Sequence, residues 1–270
     1  MNNLGTFITH LHQTKPLVHH ITNYVTVNDC ANITLGIGAS PVMADAIEEA
    51  ADIASIADAL VLNIGTLNSR TVAAMVAAGK AANAKGIPVV LDPVGVGASA
   101  FRNRTTADII DQVKIAVLRG NISEIKFIAG LASVTKGVDA SEADMADTDN
   151  AGDIATLLAE KLNCTVVISG AVDIIANGNS VMYVKNGHPM LGNLTGTGCM
   201  CSSLIGAFCG AMPHEIFLSA VAAMVSMGIA GELAYAKASA LGNGSFHTHL
   251  HDVISQLDSA TIETLGKYYE

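Results

Sequence analysis

Four short apolar segments constrain the fold of this chain more than any other feature. Each is apolar at successive positions and ends abruptly in polar residues or glycine: ALVLNIG at Gly65, IPVVLDP at Pro93, IAVLRGN at Asn121 and TVVISG at Gly170. A continuous apolar run of this length is typical of a strand buried on both faces. Such strands occupy the centre of a sheet that is covered on both sides.

Alanine-rich helical segments lie between these strands. SRTVAAMVAAGKAANAKG carries Gly86 as a predicted C-cap, and NAGDIATLLAEKLN begins with an acidic first turn. Alternating strands and helices predict an α/β protein, a mostly parallel central sheet with helices on both faces. After Gly170 the pattern changes, and DIIANG and SVMYVKNG predict a hairpin around NGN, followed by a mostly helical remainder. Without a linker or an internal repeat, residues 1–270 are predicted to form a single domain.

The composition favours a small-molecule ligand over a macromolecular one. The chain is 50% hydrophobic and carries a formal charge of −10 with no cluster of Lys or Arg, whereas nucleic acids and anionic membranes bind to basic patches. We therefore expect neither partner. An anionic ligand would need a local attraction, from a metal ion or a helix N-terminus.

The sequence also predicts a cytoplasmic location. The N-terminal MNNLGTFITH lacks the basic and apolar regions of a secretory signal, and five cysteines without regular spacing suit reduced thiols. The apolar stretch from Ile216 to Gly231 is rich in Ala, Gly and Ser and is bracketed by Glu215 and Glu232. We interpret it as a buried helix, since it is shorter than a membrane span.

Polar residues cluster where the predicted strands end, which is where ligands bind in open α/β sheets. Each residue alone is compatible with an ordinary strand terminator, but successive strand ends with amide, carboxylate, guanidinium and hydroxyl groups favour a site. Arginine suits a bidentate pair with phosphate oxygens, and two carboxylates suit Mg²⁺; the competing interpretation is a simple Arg–carboxylate pair. The residues are Asn63, Gly65, Asp92, Arg119, Asn121, Glu124 and Ser169.

The stretch TGTGC, from Thr195 to Cys199, offers a second device for binding an anion. The chain has no G-x-x-x-x-G-K-[ST] motif, so a phosphate would need another cradle. Gly196 and Gly198 permit a tight turn, and the amides that open a helix at about Cys199 would face the anion. Glycine-rich helix starts also occur as packing devices, so this signal is weak on its own.

Other polar clusters have simpler interpretations. The acidic ASEADMADTDN, residues 140–150, lacks the spacing of a calcium loop, and CMC has no second cysteine pair to complete a zinc site. HTHLH places His247 and His251 on one helical face, as in some metal sites, but the sequence places no acidic partner beside them. We interpret them as exposed helix residues.

Several longer segments together resemble the hydroxyethylthiazole kinase family, thiamine-salvage enzymes of the ribokinase-like superfamily. They are HHITNYVTVNDCANITLGIGASPVMA (19–44), LVLNIGTL, VVLDPVGVGAS, VLRGNISEI, NLTGTGCM and the closing GNGSF. The resemblance implies a three-layer α/β/α fold and ATP-dependent phosphorylation of the hydroxyl of 4-methyl-5-(2-hydroxyethyl)thiazole. It also implies a homotrimer whose active sites lie between subunits.

The resemblance further implies roles for individual residues. Arg119, Ser169 and Asn121 would contact ATP, with threonine more usual in the family where Ser169 stands, while Asp92 and Glu124 would surround Mg²⁺. The thiazole pocket would be lined by Asn23, Val25, Pro41, Met43, Gly65 and Gly196.

Cys199 stands where the wider superfamily carries an aspartate that accepts the proton of the substrate hydroxyl. Phosphoryl transfer has a loose transition state, so positioning and charge stabilisation matter more than a strong base. We expect Cys199 to orient the hydroxyl, Gly196 and Gly198 to form the catalytic turn, and the helix N-terminus to raise the thiolate fraction. For Cys199 the alternative stays open that it merely fills space as a small buried residue. For the function two alternatives stay open: a related kinase of hydroxymethylpyrimidine, and a non-catalytic thiazole-binding sensor.

Overall fold

One mixed sheet of nine strands organises the part of the chain that the structure describes. The computed structural model describes residues 3–131 and 150–270. All of the acidic segment ASEADMADTDN except Asn150 lies outside the described residues. The strands are β1 (Leu17–Ile21), β2 (Ser40–Met43), β3 (Ala59–Asn63), β4 (Val89–Asp92), β5 (Val117–Asn121), β6 (Thr165–Ser169), β7 (Asp173–Ala176), β8 (Val181–Val184) and β9 (Tyr268–Tyr269).

The sheet has the order β2-β1-β3-β4-β5-β6-β7-β8-β9. The first six strands in this order are mutually parallel, and the remaining pairings are antiparallel. The four apolar segments form β3 to β6, and the predicted hairpin is β7 and β8 with Gly178 in the left-handed region at its turn (φ +85°). The mostly parallel sheet and the hairpin are therefore confirmed.

The helices fill the connections between strands. Gly86 adopts a left-handed conformation and ends the second-longest of them, as predicted. The 3₁₀ helix Pro189–Asn193 precedes the glycine turn. The α-helices are α1 (Gly5–Thr14), α2 (Val27–Gly36), α3 (Ala50–Ile56), α4 (Ser69–Lys85), α5 (Ala100–Gln112), α6 (Ile122–Ala129), α7 (Ala151–Leu162), α8 (Thr197–Ala211), α9 (Ile216–Ala238), α10 (Asn243–Ile254) and α11 (Ser259–Leu265).

The core consists of two apolar layers, one on each face of the sheet. Val61 and Val90 belong to the layer that packs against α1, α2 and α8 to α11. Leu62 and Leu91, their neighbours along the strands, belong to the layer that packs against α3 to α7. Because successive side chains of a strand point to opposite faces, continuous apolar runs serve both layers. The three-layer α/β/α architecture is thereby confirmed.

Helix α9 contains the apolar stretch from Ile216 to Gly231. Among the described helices it is the one long and apolar enough to cross a membrane, yet 72% of its most apolar window is buried inside the protein. It packs against α8, α10 and the antiparallel strands. It is a core helix, as the sequence predicts.

Truncating a core aromatic should reveal how far the fold depends on the layer around α8. Phe208 is fully buried there, so Phe208→Ala should lower the free energy of unfolding by about 3–5 kcal/mol through lost burial and a residual cavity. Urea unfolding measures the change. Leu157→Ala, at an exposed position of α7, is the control, and an equal loss there would contradict the assignment of the core.

Candidate active site

The carboxyl ends of the parallel strands line a cavity of about 540 Å³. The register of β3 and β4 sets Asn63 beside Asp92, and that of β5 and β6 sets Asn121 beside Ser169. Adjacent parallel strands end at one edge, so their terminal side chains converge there. The predicted residues that line this cavity are Asn23, Val25, Gly65, Asp92, Arg119, Asn121, Glu124, Ser169, Gly196, Gly198 and Cys199.

The Asp92 carboxylate is buried at the floor of the cavity. Its Oδ2 accepts hydrogen bonds from Ser202 Oγ (2.7 Å) and Asn63 Nδ2 (3.0 Å), and it lies 3.6 Å from Nη1 of Arg119. Burial raises the pKa of Asp92 and Arg119 partly opposes that rise. Nη2 of Arg119 donates to Ser169 Oγ (2.7 Å). The guanidinium therefore contacts a second residue that was predicted to bind ATP.

Glu124 lies in the first turn of α6 and is almost fully buried. Its oxygens accept hydrogen bonds from the backbone amides of Gly95 (2.7 Å) and Asn121 (2.8 Å). Burial, reinforced by the charge of Asp92, raises the pKa of Glu124 to about 7. Asn121 completes a capping box, since its Oδ1 accepts from the Glu124 amide at 2.9 Å. The side-chain oxygen of Asn121, a residue predicted to contact ATP, thus caps helix α6.

These acidic groups fit a divalent cation. Oδ1 of Asp92 is buried and has no hydrogen-bond donor among the described residues. Two carboxylates face one guanidinium, and burial together with the charge of Asp92 raises the pKa of Glu124. An all-oxygen, doubly anionic set is what Mg²⁺ prefers in proteins.

The glycine turn lines the same cavity as these carboxylates. Helix α8 begins at Thr197, two residues earlier than the sequence predicts, and Gly196 is its N-cap with φ +90°. A methyl group at Gly196 would lie 2.5 Å from Cγ2 of Thr26, and one at Gly198 would lie 2.6 Å from Nη1 of Arg119. Both positions exclude a side chain, so the turn packs directly against Arg119 and presents the amides of α8 to the cavity.

Cys199 is held by two asparagines. Its Sγ accepts from Nδ2 of Asn23 and from Nδ2 of Asn63, both at 3.3 Å. Burial and the nearby Asp92 raise the pKa of the thiol despite these donors. The net shift is opposite to the expected enrichment of the thiolate, because burial and the neighbouring carboxylate both raise the pKa of Cys199. At neutral pH the group is a thiol.

Asn63 is the residue whose importance the sequence understated. The pattern places it at a strand end, but the structure makes it a bridge: it donates to Asp92 and Cys199 and accepts from Asn23 Nδ2 at 2.9 Å. Arg102, which the sequence did not single out, binds the carbonyls of Ile64 (2.8 Å) and Gly65 (2.7 Å). The signal for Asn63 was its position at a strand end, whereas Arg102 lies in α5 and carried no such signal.

Two residues predicted for the thiazole pocket lie elsewhere in the single chain. Among the described residues lining the 540 Å³ cavity, neither Pro41 nor Met43 is present. Met43 instead borders a cavity of about 280 Å³ with Tyr24, and Thr66 lines both spaces. The two cavities are therefore neighbours.

His19 and His20 are buried parts of β1. Nε2 of His19 lies 2.7 Å from the Ala44 carbonyl, and Nε2 of His20 lies 3.1 Å from Ser203 Oγ. Burial lowers the pKa of His20 to about 4. Both are hydrogen-bonded core histidines.

Another cavity of about 410 Å³ lies at the amino ends of the parallel strands, around Pro88, Ala116 and Thr165. Among the described residues that line it, none is a carboxylate. Its lining includes the cation Lys114 but lacks the combination of guanidinium and paired carboxylates formed by Arg119, Asp92 and Glu124. The carboxyl edge is the candidate site.

Comparison with known families decides the assignment. Residues 8–260 match the model of the hydroxyethylthiazole kinase family. The chain belongs to this family. It is therefore a kinase, and a hydroxyethylthiazole kinase of Clostridium beijerinckii is 59% identical over 268 residues, covering 99% of this chain and 97% of that protein.

Solved structures agree with the fold of this kinase. A hydroxyethylthiazole kinase from Pyrococcus horikoshii superposes with a TM-score of 0.90 at 39% identity, covering 100% of this chain and 99% of its own. The pyridoxal kinase from Staphylococcus aureus in complex with ADP gives a TM-score of 0.59 at 14% identity, covering 81% of this chain and 88% of its own. The second likeness concerns the ribokinase-like fold alone.

The raised pKa of Glu124 predicts a pH dependence of stability. Between its ordinary value of 4.5 and about 7, the folded kinase retains a proton that the unfolded chain has released. The free energy of unfolding contributed by this group therefore falls as pH rises, by at most about 1.4 kcal/mol per pH unit. In urea unfolding from pH 5 to 7.5 without Mg²⁺, Glu124→Gln should flatten that slope.

Other buried groups also change the pH slope of the free energy of unfolding in this range. The slope of Glu124→Gln is therefore compared with the slope of the parent protein. Burial raises the pKa of Asp173 to about 7, and the lowered pKa of His20 acts with the opposite sign. The exposed Glu160→Gln on α7 should reproduce the parent profile. A Glu124→Gln slope identical to that of the parent would contradict this account of Glu124.

Proposed function

We propose that the cavity at the carboxyl edge of the sheet is where this chain carries out its reaction, the ATP-dependent phosphorylation of the hydroxyl of hydroxyethylthiazole. Membership of the family assigns that reaction. The observation that carries the location is the convergence of Asp92, Glu124, Arg119 and the glycine turn with Cys199 around one cavity. Its product, a thiazole phosphate, belongs to thiamine biosynthesis.

Arg119 and the start of α8 bind and orient the phosphates of ATP. The guanidinium lies between Asp92 and Ser169 and against Gly198, so its position is fixed before nucleotide arrives. The first amides of α8 have no intrahelical acceptor and carry the positive end of the helix dipole. Together they stabilise the charge of the transferring phosphoryl group, the dominant requirement of this chemistry.

Asp92 and Glu124 hold Mg²⁺ in this proposal. When bound, the ion neutralises charge on the phosphate oxygens. Asp92 offers its unpartnered Oδ1, while Asn63 and Ser202 fix the orientation of the other oxygen. Glu124 is held by two backbone amides at the start of α6.

Cys199 positions the substrate hydroxyl. Its Sγ is fixed by Asn23 and Asn63 and is predominantly protonated, so it orients the hydroxyl in the ground state. In a loose transition state the bond between the attacking oxygen and phosphorus is little formed. The hydroxyl therefore needs little help from a base until late in the reaction. In the minor thiolate fraction, whose own proton has gone to solvent, Sγ accepts the hydroxyl proton late, as the new P–O bond forms.

We also propose that the thiazole pocket is completed by a second copy of the chain in a homotrimer. Asn23, Val25 and Gly65 line the cavity in one chain, whereas Pro41 and Met43 do not. Tyr24 and Val25 are 78% and 55% exposed beside it, and apolar side chains so placed suit coverage by a subunit. Pro41 and Met43 then contribute from the neighbouring chain.

The remaining parts of the proposal concern the whole chain. A single domain spanning residues 1–270 is supported by one sheet to which both halves of the described chain contribute strands. A cytoplasmic location is supported by five free cysteines and by the burial of α9.

A coupled assay of ADP release with Mg-ATP tests the reaction. We expect turnover with hydroxyethylthiazole that EDTA abolishes, and none without an acceptor. Turnover with hydroxymethylpyrimidine alone would contradict the proposed pocket. Thiazole binding without turnover would favour the sensor. At present no observation on the described residues or from the comparisons favours either the hydroxymethylpyrimidine kinase or the sensor.

Substitution of Cys199 separates positioning from space filling. Cys199→Ala should lower kcat by about 100-fold, the lower end of what a proton-transferring group contributes. Cys199→Asp should retain clearly more activity, because a carboxylate can orient the hydroxyl and accept its proton. Cys164→Ala is the matched control, because Cys164 lines the separate cavity around Pro88, Ala116 and Thr165 and not the catalytic cavity. Unchanged kcat in Cys199→Ala would contradict the proposed role.

A further inference from the structure

A second cluster of ligand-type side chains lies outside the catalytic cavity. Asp29 stands in the first turn of α2, and His247 and His251 stand one turn apart on α10. Oδ1 of Asp29 lies 3.1 Å from Nε2 of His247 and 3.9 Å from Nε2 of His251, and the three potential ligand atoms lie within 4.8 Å of one another. The structure thus supplies the acidic partner that the sequence could not place beside HTHLH.

The backbone preforms this arrangement. Residues four apart on a helix share a face, and α10, which buries Phe246 and Leu250 in the core, packs against α2. The two imidazole rings meet edge to face with centroids 5.0 Å apart, so they converge without stacking. All three side chains are 21–35% exposed, which leaves the cluster open to ions from solvent.

An ordinary His–Asp ion pair accounts for only part of this geometry. One protonated imidazole satisfies one carboxylate, yet two imidazole nitrogens approach the same oxygen. A single cation between the three atoms gives every one of them a partner.

We propose that Asp29, His247 and His251 bind one divalent transition-metal ion of the Zn²⁺ class. Two imidazoles and a carboxylate are ligands for Zn²⁺, Ni²⁺ or Cu²⁺, whereas Mg²⁺ prefers oxygen ligands throughout. The site is therefore chemically distinct from the carboxylate pair Asp92 and Glu124. Three protein ligands leave at least one position for water.

The cluster is also next to the catalytic turn. A methyl group at Gly196 would lie 3.9 Å from Oδ2 of Asp29, so the metal site and the cavity share the wall formed by the glycine turn. A bound ion ties α2 to α10 behind that wall. Metal binding should therefore stabilise the fold without contributing to phosphoryl transfer.

Cobalt titration tests the proposal directly. Untagged protein, stripped with EDTA and free of nucleotide, should bind one Co²⁺ per chain with visible ligand-field absorption and no thiolate charge-transfer band, and Zn²⁺ should displace it. Even outer-shell partners of a metal are worth about 10–100-fold in affinity. Loss of a ligand in His251→Gln, His247→Gln or Asp29→Asn should therefore weaken Kd more than tenfold.

The matched control lies on the same helix. His249 pairs with Asp252 at 3.1 Å, and His249→Gln should keep the parent affinity. Zn²⁺ should raise Tm in the parent and in His249→Gln but not in His251→Gln, with circular dichroism of the metal-free forms verifying that each variant folds. Absence of stoichiometric binding, a thiolate charge-transfer band, or equal weakening in His249→Gln would overturn the proposal. These readouts do not depend on kinase activity, so they are independent of the proposed catalytic site.

Discussion

The hydrogen bonding and charge pairing of the buried Asp92 carboxylate are the interactions on which the rest of the site depends. Asp92 ends β4, and its Oδ2 accepts from Asn63 at the end of β3 and from Ser202 on α8, beside the guanidinium of Arg119 on β5. Leaving a charge in an apolar interior is costly unless it is paired and hydrogen-bonded. The need to satisfy this one group therefore holds three strands and a helix in a fixed arrangement around the cavity, and it leaves one oxygen available for a cation.

The same arrangement resolves the electrostatic conflict of an acidic protein that uses an anionic co-substrate. With a net charge of −10, the chain repels a nucleotide at long range. In the proposed site, attraction would be supplied locally by Arg119 and by the amides at the start of α8, which approach each other because Gly198 has no side chain to separate them. Local geometry therefore dominates over net charge within the cavity.

Much of the fold and of the site was predictable, for reasons visible in particular residues. The apolar segments ending at Asn63 and Asp92 specify strands buried on both faces, and parallel strands bring their ends to one edge. Prediction was less successful where a property depends on elements distant in sequence. The pKa of Cys199 is raised by burial and by Asp92. Neither the burial of Cys199 nor its proximity to Asp92 can be read from TGTGC.

The sequence by itself determined the α/β class, the family and the identity of the groups at the strand ends, because periodicity and local motifs are properties of neighbouring residues. Tertiary structure alone decided that Asn63 bridges Asp92 and Cys199, that the thiol stays protonated and that Asp29 meets His247 across more than two hundred residues. Distances and dielectric environment arise only when helices and strands pack. Those two quantities, rather than residue type, set what a polar group can do.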